Sequence, residues 1–411
     1  MNTKIGYPDV FVPGRIPTVT YVDRQLASID KVIQNVANNA KLLIIGGKSK
    51  SGKTVLVNRF HPQDNAVWIS GGNISEVDHF WEFINEKING YTHTEVAQTK
   101  DKSKDLSLNG SIEAQITPVI KATGSAGIGG ARGASTTISQ SRDSSSKVTA
   151  IQGLMKMKKT LVIDDFQYIK DMVAREILLS LKDILSQGLP VIIITSNPSK
   201  TLSLLEMDME GRFLFKVIPP WSREDLWKIA KKGFKALQIS YTDDKLNQLA
   251  NAAFGCPHLM QDFCYELCNQ ELIHNHGAIP ASVEISRFLT QIAHENGALA
   301  DNRFKIKTSG SRKQWELTDG TRADLYTIVK KALKKIRPDM NVIPYSMLEN
   351  AIREIVACEE KPRKNDVSRV LSNLERVSRE NKSTEPWLIW DNEKSELEIT
   401  EPYFLLWLNM T

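Results

Sequence analysis

Eight consecutive residues combine glycine, lysine and hydroxyl side chains at a spacing that could bind phosphate. In chain order they are Gly47, Lys48, Ser49, Lys50, Ser51, Gly52, Lys53 and Thr54. An apolar run of strand type precedes them, and a helix-compatible segment follows. Glycines let successive backbone N–H groups point at a phosphate, and the following helix adds the positive end of its dipole. We therefore predict a binding site for ATP with Mg²⁺.

Four side chains near this loop have separate predicted roles. Lys53 is expected to contact the β- and γ-phosphates, and the Thr54 hydroxyl to ligate Mg²⁺. The apolar run from Thr160 ends at Asp164 and Asp165. Asp164 is the predicted second Mg²⁺ contact, and Asp165 could orient the attacking water. Two adjacent acids after a strand also occur as helix caps, which is the alternative for this pair.

A third apolar run starts at Leu189 and ends at polar residues, Thr195, Ser196 and Asn197. If this strand lies between the other two, its terminal side chains can reach the γ-phosphate or the water. The order of the three motifs resembles that of AAA+ and STAND-type ATPases. By this resemblance Asn197 is the sensor 1 residue, with Thr195 as the second candidate.

The same resemblance assigns two residues further along the chain. Arg212 precedes a short strand predicted from Lys216, and it resembles the arginine that AAA+ proteins insert into a neighbouring subunit's site. A surface salt-bridge arginine is the alternative. Pro257 lies in a Gly-x-Pro turn that resembles the turn packed near the adenine in STAND ATPases. No lid arginine stands at that turn, and this departure from AAA+ proteins favours a slow, switch-like ATPase.

The predicted fold is α/β, a P-loop NTPase core with a parallel sheet, a helical lid and a C-terminal winged-helix domain. The expected boundaries are 1–220 for the core, 221–300 for the lid, and 301–411 for a linker and the winged helix. Near the N-terminus, the stretch from Tyr21 to Gln25 resembles the segment that lies by the base in origin-recognition-like and STAND ATPases.

The distance along the chain from Lys53 to Asp164 exceeds what one strand, its helices and short loops need. An insertion at about 95–150 is therefore expected. It contains the alternating stretch from Leu106 to Ile116, followed by a segment rich in Gly, Ala and Ser. An exposed strand of this kind could be an arm for oligomerisation or for partner docking. An ordinary hairpin packed on its own domain is the alternative.

The C-terminal third has three helical segments followed by two strand-like stretches, the pattern of a winged helix. It resembles the winged helix of origin-recognition-like and archaeal-type STAND ATPases. The third helical segment carries Arg369, Arg376 and Arg379 away from its apolar stripe, while Glu375 and Glu380 dilute that charge. DNA binding and protein contact both remain open from the sequence.

Composition sets broad limits. The 411 residues are 41% hydrophobic and 25% charged, with a formal net charge of +5. This is typical of a globular chain of two or three domains, and it does not by itself indicate nucleic-acid binding. No apolar run approaches the ~18 residues of a spanning helix, and no signal-peptide core is seen. A cytoplasmic location with no membrane segment is the expectation.

These observations lead to three functional hypotheses. The first is an ATP-hydrolysing AAA+/STAND-type switch that forms a homo-oligomeric ring or filament and regulates a partner effector, as such proteins do in bacterial defence against phage. The alternative is a DNA-loading or transposition-regulator ATPase that binds duplex DNA. The third is a nucleotide-binding scaffold without useful turnover.

Overall fold

A computed structural model gives the structure of most of the chain. It describes residues 5–38, 41–88, 146–205, 209, 211–270, 277–304, 313–338, 342–357, 361–380 and 386–411. The predicted strand from Leu106 to Ile116 and most of the predicted insertion lie outside these residues. None of the described helices combines the length and the apolar character that a membrane crossing requires.

A five-stranded parallel sheet forms the centre of the first unit, with the order β2-β3-β4-β1-β5. The near-continuous apolar sequences of the inner strands fit a sheet covered by helices on both faces. β4 lies between the strand before the loop and the strand that ends at Asp164, as the sensor assignment requires. The strands are β1 (Leu42–Gly46), β2 (Ala66–Ser70), β3 (Thr160–Asp164), β4 (Val191–Thr195) and β5 (Phe213–Val217).

The last of these strands differs from its prediction. The sequence indicated a strand from Lys216 onward, whereas β5 begins at Phe213 and ends before Pro219 and Pro220. Proline has no N–H to donate to a strand ladder, so the ladder stops where these two residues begin. The apolar side chains that precede Lys216 are therefore part of the strand itself.

Alternate residues of β1 pack into two cores on opposite faces of the sheet. Leu42 and Ile44 contribute to one core with α4, α5 and α6, while Leu43 and Ile45 contribute to the other with α2 and α3. The helices of this part of the chain are α1 (Tyr7–Val10), α2 (Ala27–Gln34), α3 (Lys53–Phe60), α4 (Val77–Lys87), α5 (Ser146–Met157), α6 (Asp171–Ser186) and α7 (Pro198–Ser203).

A helical unit follows the sheet and has its own core. Its first two helices start at side-chain caps, Ser222 and Thr242, as amphipathic helices commonly do. The N-terminal segment packs here as well, with the Phe11 ring 5.1 Å from that of Phe234 in an edge-on geometry. The helices are α8 (Arg223–Ala236), α9 (Asp243–Ala252), α10 (Pro257–Gln270) and α11 (Ile285–Asn302).

The C-terminal unit contains the predicted helices and both predicted strands. A strand that the sequence did not indicate, β8, pairs with β10, and the final segment forms a helix, α15. The winged-helix assignment stays a prediction. The elements are a two-stranded ribbon of β6 (Trp315–Glu316) and β7 (Arg322–Ala323), then α12 (Leu325–Ile336), β8 (Val342–Pro344), α13 (Tyr345–Ile355), α14 (Lys364–Glu380), β9 (Leu388–Asp391), β10 (Glu396–Ile399) and α15 (Pro402–Met410).

Helix α15 packs against both the C-terminal unit and the helical unit of α8–α11. Phe404, Leu405 and Trp407 are buried in the C-terminal core, whereas Leu406 is buried in the core of α8–α11. The helix is apolar around most of its circumference because each side faces one of the two cores. Packing of α15 therefore fixes how the C-terminal unit sits against the preceding helices.

We expect Leu406→Ala to lower the free energy of unfolding by about 2–5 kcal/mol, because it removes a fully buried side chain between two cores. Met347→Ala is the matched control, since that side chain is 44% exposed, and it should change stability by less than ~0.5 kcal/mol. Denaturant unfolding measures both. Equal effects of the two substitutions would contradict this account of α15.

Candidate nucleotide-binding site

The predicted phosphate-binding loop connects β1 to α3 through unusual backbone conformations. Gly47 and Gly52 have φ of +156° and +86°, and Lys50 has φ of +57°. The Lys53 ammonium donates hydrogen bonds to the carbonyl oxygens of Gly47 at 3.1 Å and Lys48 at 2.6 Å. The lysine side chain therefore lies inside the turn of the loop, where backbone and ammonium donors gather at the start of a helix.

Space at the loop is tight where the glycines stand. A Cβ at Gly47 would lie 3.3 Å from the Ile218 carbonyl oxygen and 3.4 Å from Ser51 Oγ. Ser51 Oγ itself is buried and has no hydrogen-bond partner among the described residues. An orphaned hydroxyl beside lysine and backbone donors fits a phosphate ligand, since a buried hydroxyl is costly to leave without a partner.

A cleft of about 470 Å³ lies along this loop. Among the sequence-predicted site residues, those that line it are Ser49, Lys50, Ser51, Gly52, Lys53, Thr54, Asp164, Asp165 and Pro257. Tyr21 and Arg24, from the stretch expected to lie by the base, also line it. The structure thus brings together the loop, both acids and the Gly-x-Pro turn.

Thr54 and Asp164 meet at the predicted metal position. Both side chains line the cleft. Burial, and next the neighbouring charge of Asp165, raise the pKa of Asp164 to about 6, while the nearby Thr54 hydroxyl and the Lys53 charge act in the opposite direction. Hard oxygen donors of this kind suit Mg²⁺, which commonly takes one or two protein ligands and completes its shell with water and phosphate. Thr54 and Asp164 therefore fit the predicted ion.

Asp165 is fixed by contacts on two sides. Its backbone is left-handed, with φ of 54° and ψ of 40°, and its N–H donates to Asp164 Oδ1 at 2.9 Å. Gly71, just after β2, packs so closely that a Cβ there would lie 2.4 Å from the Asp165 carbonyl oxygen. Sequence reasoning missed Gly71, although a Gly-Gly pair directly after an apolar strand is a signal for close backbone approach.

The residues at the end of β4 hydrogen-bond to one another. Thr195 Oγ1 accepts from the Asn197 N–H at 3.1 Å and from the Thr201 hydroxyl at 3.0 Å. Asn197 Oδ1 accepts from the Lys200 N–H at 3.1 Å and so caps α7. In the described part of the chain, neither Asn197 nor Thr195 lines the cleft. Their sensor roles stay predictions.

Arg212 lies at the opposite edge of the sheet. The Arg212 carbonyl accepts a hydrogen bond from the N–H of Leu42, which is the first residue of β1. The phosphate-binding loop follows Gly46, which is the last residue of the same strand. A five-residue strand separates the two edges by about 16 Å. The Arg212 side chain is exposed. From this position it cannot serve its own chain's cleft, so a role in catalysis requires a second copy of the chain.

The helical unit of α8–α11, together with Trp221 just before it, contacts the loop directly. Trp221 Nε1 donates to the Ser51 carbonyl at 2.8 Å, and the Arg24 guanidinium lies 4.8 Å above the Trp221 ring. A Cβ at Gly52 would be 3.9 Å from Pro257 Cγ. Burial and the nearby Lys50 charge lower the pKa of His258 to about 4, so at neutral pH this cleft residue adds no positive charge.

The C-terminal unit also contacts the loop, which the sequence did not indicate. The Lys50 ammonium is 3.5 Å from Glu401 Oε1 and 4.8 Å from the centre of the Tyr403 ring. Glu401 Oε2 in turn pairs with Arg303 at 3.2 Å. Burial lowers the pKa of Lys48, whose charge faces Glu398. Two lysines of the loop, Lys50 and Lys48, therefore face two carboxylates of the C-terminal unit, those of Glu401 and Glu398.

We expect the Mg²⁺-dependent part of ATP binding to weaken as the pH falls below about 6, because a raised pKa leaves Asp164 protonated there and only the carboxylate ligates a cation. Titrating affinity with and without Mg²⁺, beside an Asp164→Asn variant, measures this. ATP protonation affects both proteins equally, so their difference reports Asp164. An identical pH dependence in both would contradict the assignment.

No protein-family model and no curated protein matches this sequence. Several solved structures are similar to this chain. The Walker-type ATPase PABY2304 of Pyrococcus abyssi is 12% identical, with 94% of this chain and 96% of that chain covered and a TM-score of 0.51. ORC2 of Aeropyrum pernix, in ADPNP–ADP complexes, is 12% identical, with 97% of this chain and 96% of that chain covered and a TM-score of 0.48.

RuvB of Thermotoga maritima, a Holliday junction branch migration motor, is 11% identical over 92% of both chains, with a TM-score of 0.43. At such identities a likeness concerns the fold. The match to the Pyrococcus ATPase extends over nearly the whole chain, and the sheet order places the loop, Asp164 and the end of β4 as the motifs predicted. The chain therefore has the fold of a Walker-type, P-loop ATPase.

Proposed function

We propose that this chain is an ATP-binding and ATP-hydrolysing switch that assembles with nucleotide and controls a partner protein. The observation that carries the proposal is the contact between the C-terminal unit and the phosphate-binding loop. The C-terminal unit, whose described residues do not line the cleft, is held by Glu401 to Lys50 and would respond when the loop binds an anion.

The cleft supplies the parts for ATP binding. The loop N–H groups, Lys53 and the orphaned Ser51 hydroxyl would bind the phosphates. Thr54 and Asp164 would hold Mg²⁺, which when bound neutralises phosphate charge. Trp221 and Pro257 line the same cleft and offer apolar surface to a base.

Hydrolysis in this proposal depends on Asp165. Its carboxylate would orient the attacking water, and Asn197 would respond to the γ-phosphate from the end of β4. The left-handed backbone at Asp165 and the close packing of Gly71 fix the position of the acid. Fixed position is what a water-orienting group requires, because catalysis of this kind depends mainly on geometry.

Charge links nucleotide binding to the C-terminal unit. Triphosphate brings several negative charges to the loop, and they compete with Glu401 for Lys50 and repel the carboxylates of Glu401 and Glu398. Phosphate binding and docking of α15 therefore oppose each other, which is a coupling free energy between two sites. A population shift of the C-terminal unit follows when ATP binds.

The position of Arg212 supports the proposed assembly. An exposed arginine at the edge of the sheet opposite the cleft can stabilise phosphate charge only in a neighbouring copy. Nucleotide between two copies would then favour a ring or filament, and hydrolysis would release it. The partner effector, and a role in defence against phage, rest on the resemblance to STAND-type ATPases.

The DNA-loading alternative receives less support from the C-terminal surface. On α14, Arg379 pairs with Glu375 at 2.6 Å and Arg369 with Asp366 at 3.6 Å. Near α12, Lys331 pairs with Asp319 at 2.9 Å. Cations already paired with carboxylates gain less from DNA phosphates, since binding must break those pairs. A protein partner suits this mixed surface better.

Light scattering tests the proposal by measuring the mass of the protein with and without ATP and Mg²⁺. We expect the mass to increase with nucleotide in the unsubstituted chain and in Arg175→Ala, a control at an exposed arginine of α6. Lys53→Ala should lose the increase because it loses phosphate binding, and Arg212→Ala should lose it while still binding ATP. A mass that stays at one chain under every condition would overturn the assembly.

A further inference from the structure

The side-chain amide of Gln167 connects two parts of the catalytic edge. Its Nε2 donates a hydrogen bond to Asp165 Oδ1 at 3.1 Å, and its Oε1 accepts one from the backbone N–H of Ser196 at 3.1 Å. Ser196 is the residue directly after β4. Each end of one amide group is therefore used, one by the candidate catalytic carboxylate and the other by the end of the neighbouring strand.

The turn that carries Gln167 is itself bound to the segment after β4. Lys200 Nζ donates to the Gln167 carbonyl at 3.4 Å and pairs with Asp171 Oδ1 at 2.7 Å. The Lys200 N–H, in addition, is the donor that Asn197 Oδ1 accepts. The turn after β3 and the turn after β4 thus form one hydrogen-bonded network, and the Asp165 carboxylate lies at its end.

An amide satisfies both neighbours of this side chain, whereas glutamate and alanine do not. Asp165 presents an acceptor and Ser196 a donor, so the residue between them must donate at one end and accept at the other. Glutamate has no donor when ionised and would place a like charge against Asp165. Alanine would leave the Ser196 N–H and the carboxylate without these bonds.

We propose that Gln167 is a positioning residue for ATP hydrolysis, which holds the Asp165 carboxylate in place and ties that place to the end of β4. This inference rests on the proposed function and adds a residue to it. The segment Ser196–Asn197 is where contact with the γ-phosphate is expected. A displacement of this segment is transmitted through the Gln167 amide to the carboxylate of Asp165, which orients the water. Hydrolysis therefore depends on the state of β4 without Asn197 contacting Asp165.

Turnover and equilibrium ATP binding, measured side by side, test this inference. The variants are Gln167→Ala, Gln167→Glu, Asp165→Asn and the double variant Gln167→Ala/Asp165→Asn. Gln187→Ala is the matched control, because that exposed glutamine donates its amide to the Asp183 carbonyl near the end of α6, away from the cleft. Thermal melting of each variant confirms that it is folded.

We expect Gln167→Ala and Gln167→Glu to lower kcat by about tenfold or more, as displacement of a positioned acid–base group does. ATP affinity should stay within about twofold, because neither change touches the loop. The double variant should be no slower than Asp165→Asn alone, since Gln167 acts through that carboxylate. Gln187→Ala should match the unsubstituted chain.

Two results would overturn the inference while leaving the proposed function intact. One is unchanged turnover in both Gln167 variants when Asp165→Asn is slow. The other is a double variant whose loss is the product of the two single losses, which indicates a separate structural effect. If Asp165→Asn hydrolyses ATP at the normal rate, the proposed role of Asp165 fails first, and this inference fails with it.

Discussion

The backbone of the phosphate-binding loop is bound from several directions, and the arrangement of the other units depends on these bonds. Lys53 binds two carbonyl groups from inside the loop. Trp221 binds the Ser51 carbonyl, and Cys256 Sγ lies 3.7 Å from that of Lys50. Because a buried carbonyl group is costly to leave without a donor, the loop cannot change shape without changing these contacts. The loop and the helical unit of α8–α11 are therefore joined directly through backbone carbonyls of the loop.

A charge constraint adds to this geometric one. The C-terminal unit places Glu401 beside Lys50 and Glu398 near Lys48. The Lys50–Glu401 pair is partly exposed, and such ion pairs contribute little to stability, about 0–1 kcal/mol. A weak contact suits the proposed switch, since the binding free energy of a nucleotide is large enough to replace it. Hydrophobic packing of α15 against two cores fixes the position of the C-terminal unit against α8–α11.

Much of the candidate nucleotide-binding site could be predicted because its signals are local. The glycine spacing of the loop and the apolar runs before Asp164 and Asn197 each lie within a few residues, and the structure places these strands as expected. Contacts between distant residues could not be predicted: Glu401 meets Lys50 only after the units pack. Helix α15 was missed because its apolar residues cover all sides and leave no helical period to detect. The role proposed for Arg212, which depends on a second chain, is not local either.

The central claim is that ATP and the C-terminal carboxylate compete for the loop. Equilibrium ATP affinity of Glu401→Gln tests it most directly, because glutamine removes the negative charge while its one side-chain oxygen can still accept one of the two N–H bonds, from Tyr403 or Phe404, that begin α15. Glu393→Gln, at an exposed turn of the same unit, is the control. The account predicts ATP binding tighter by about fivefold in Glu401→Gln alone, the equivalent of one ion pair of ~1 kcal/mol. Unchanged or weaker binding in Glu401→Gln would contradict it.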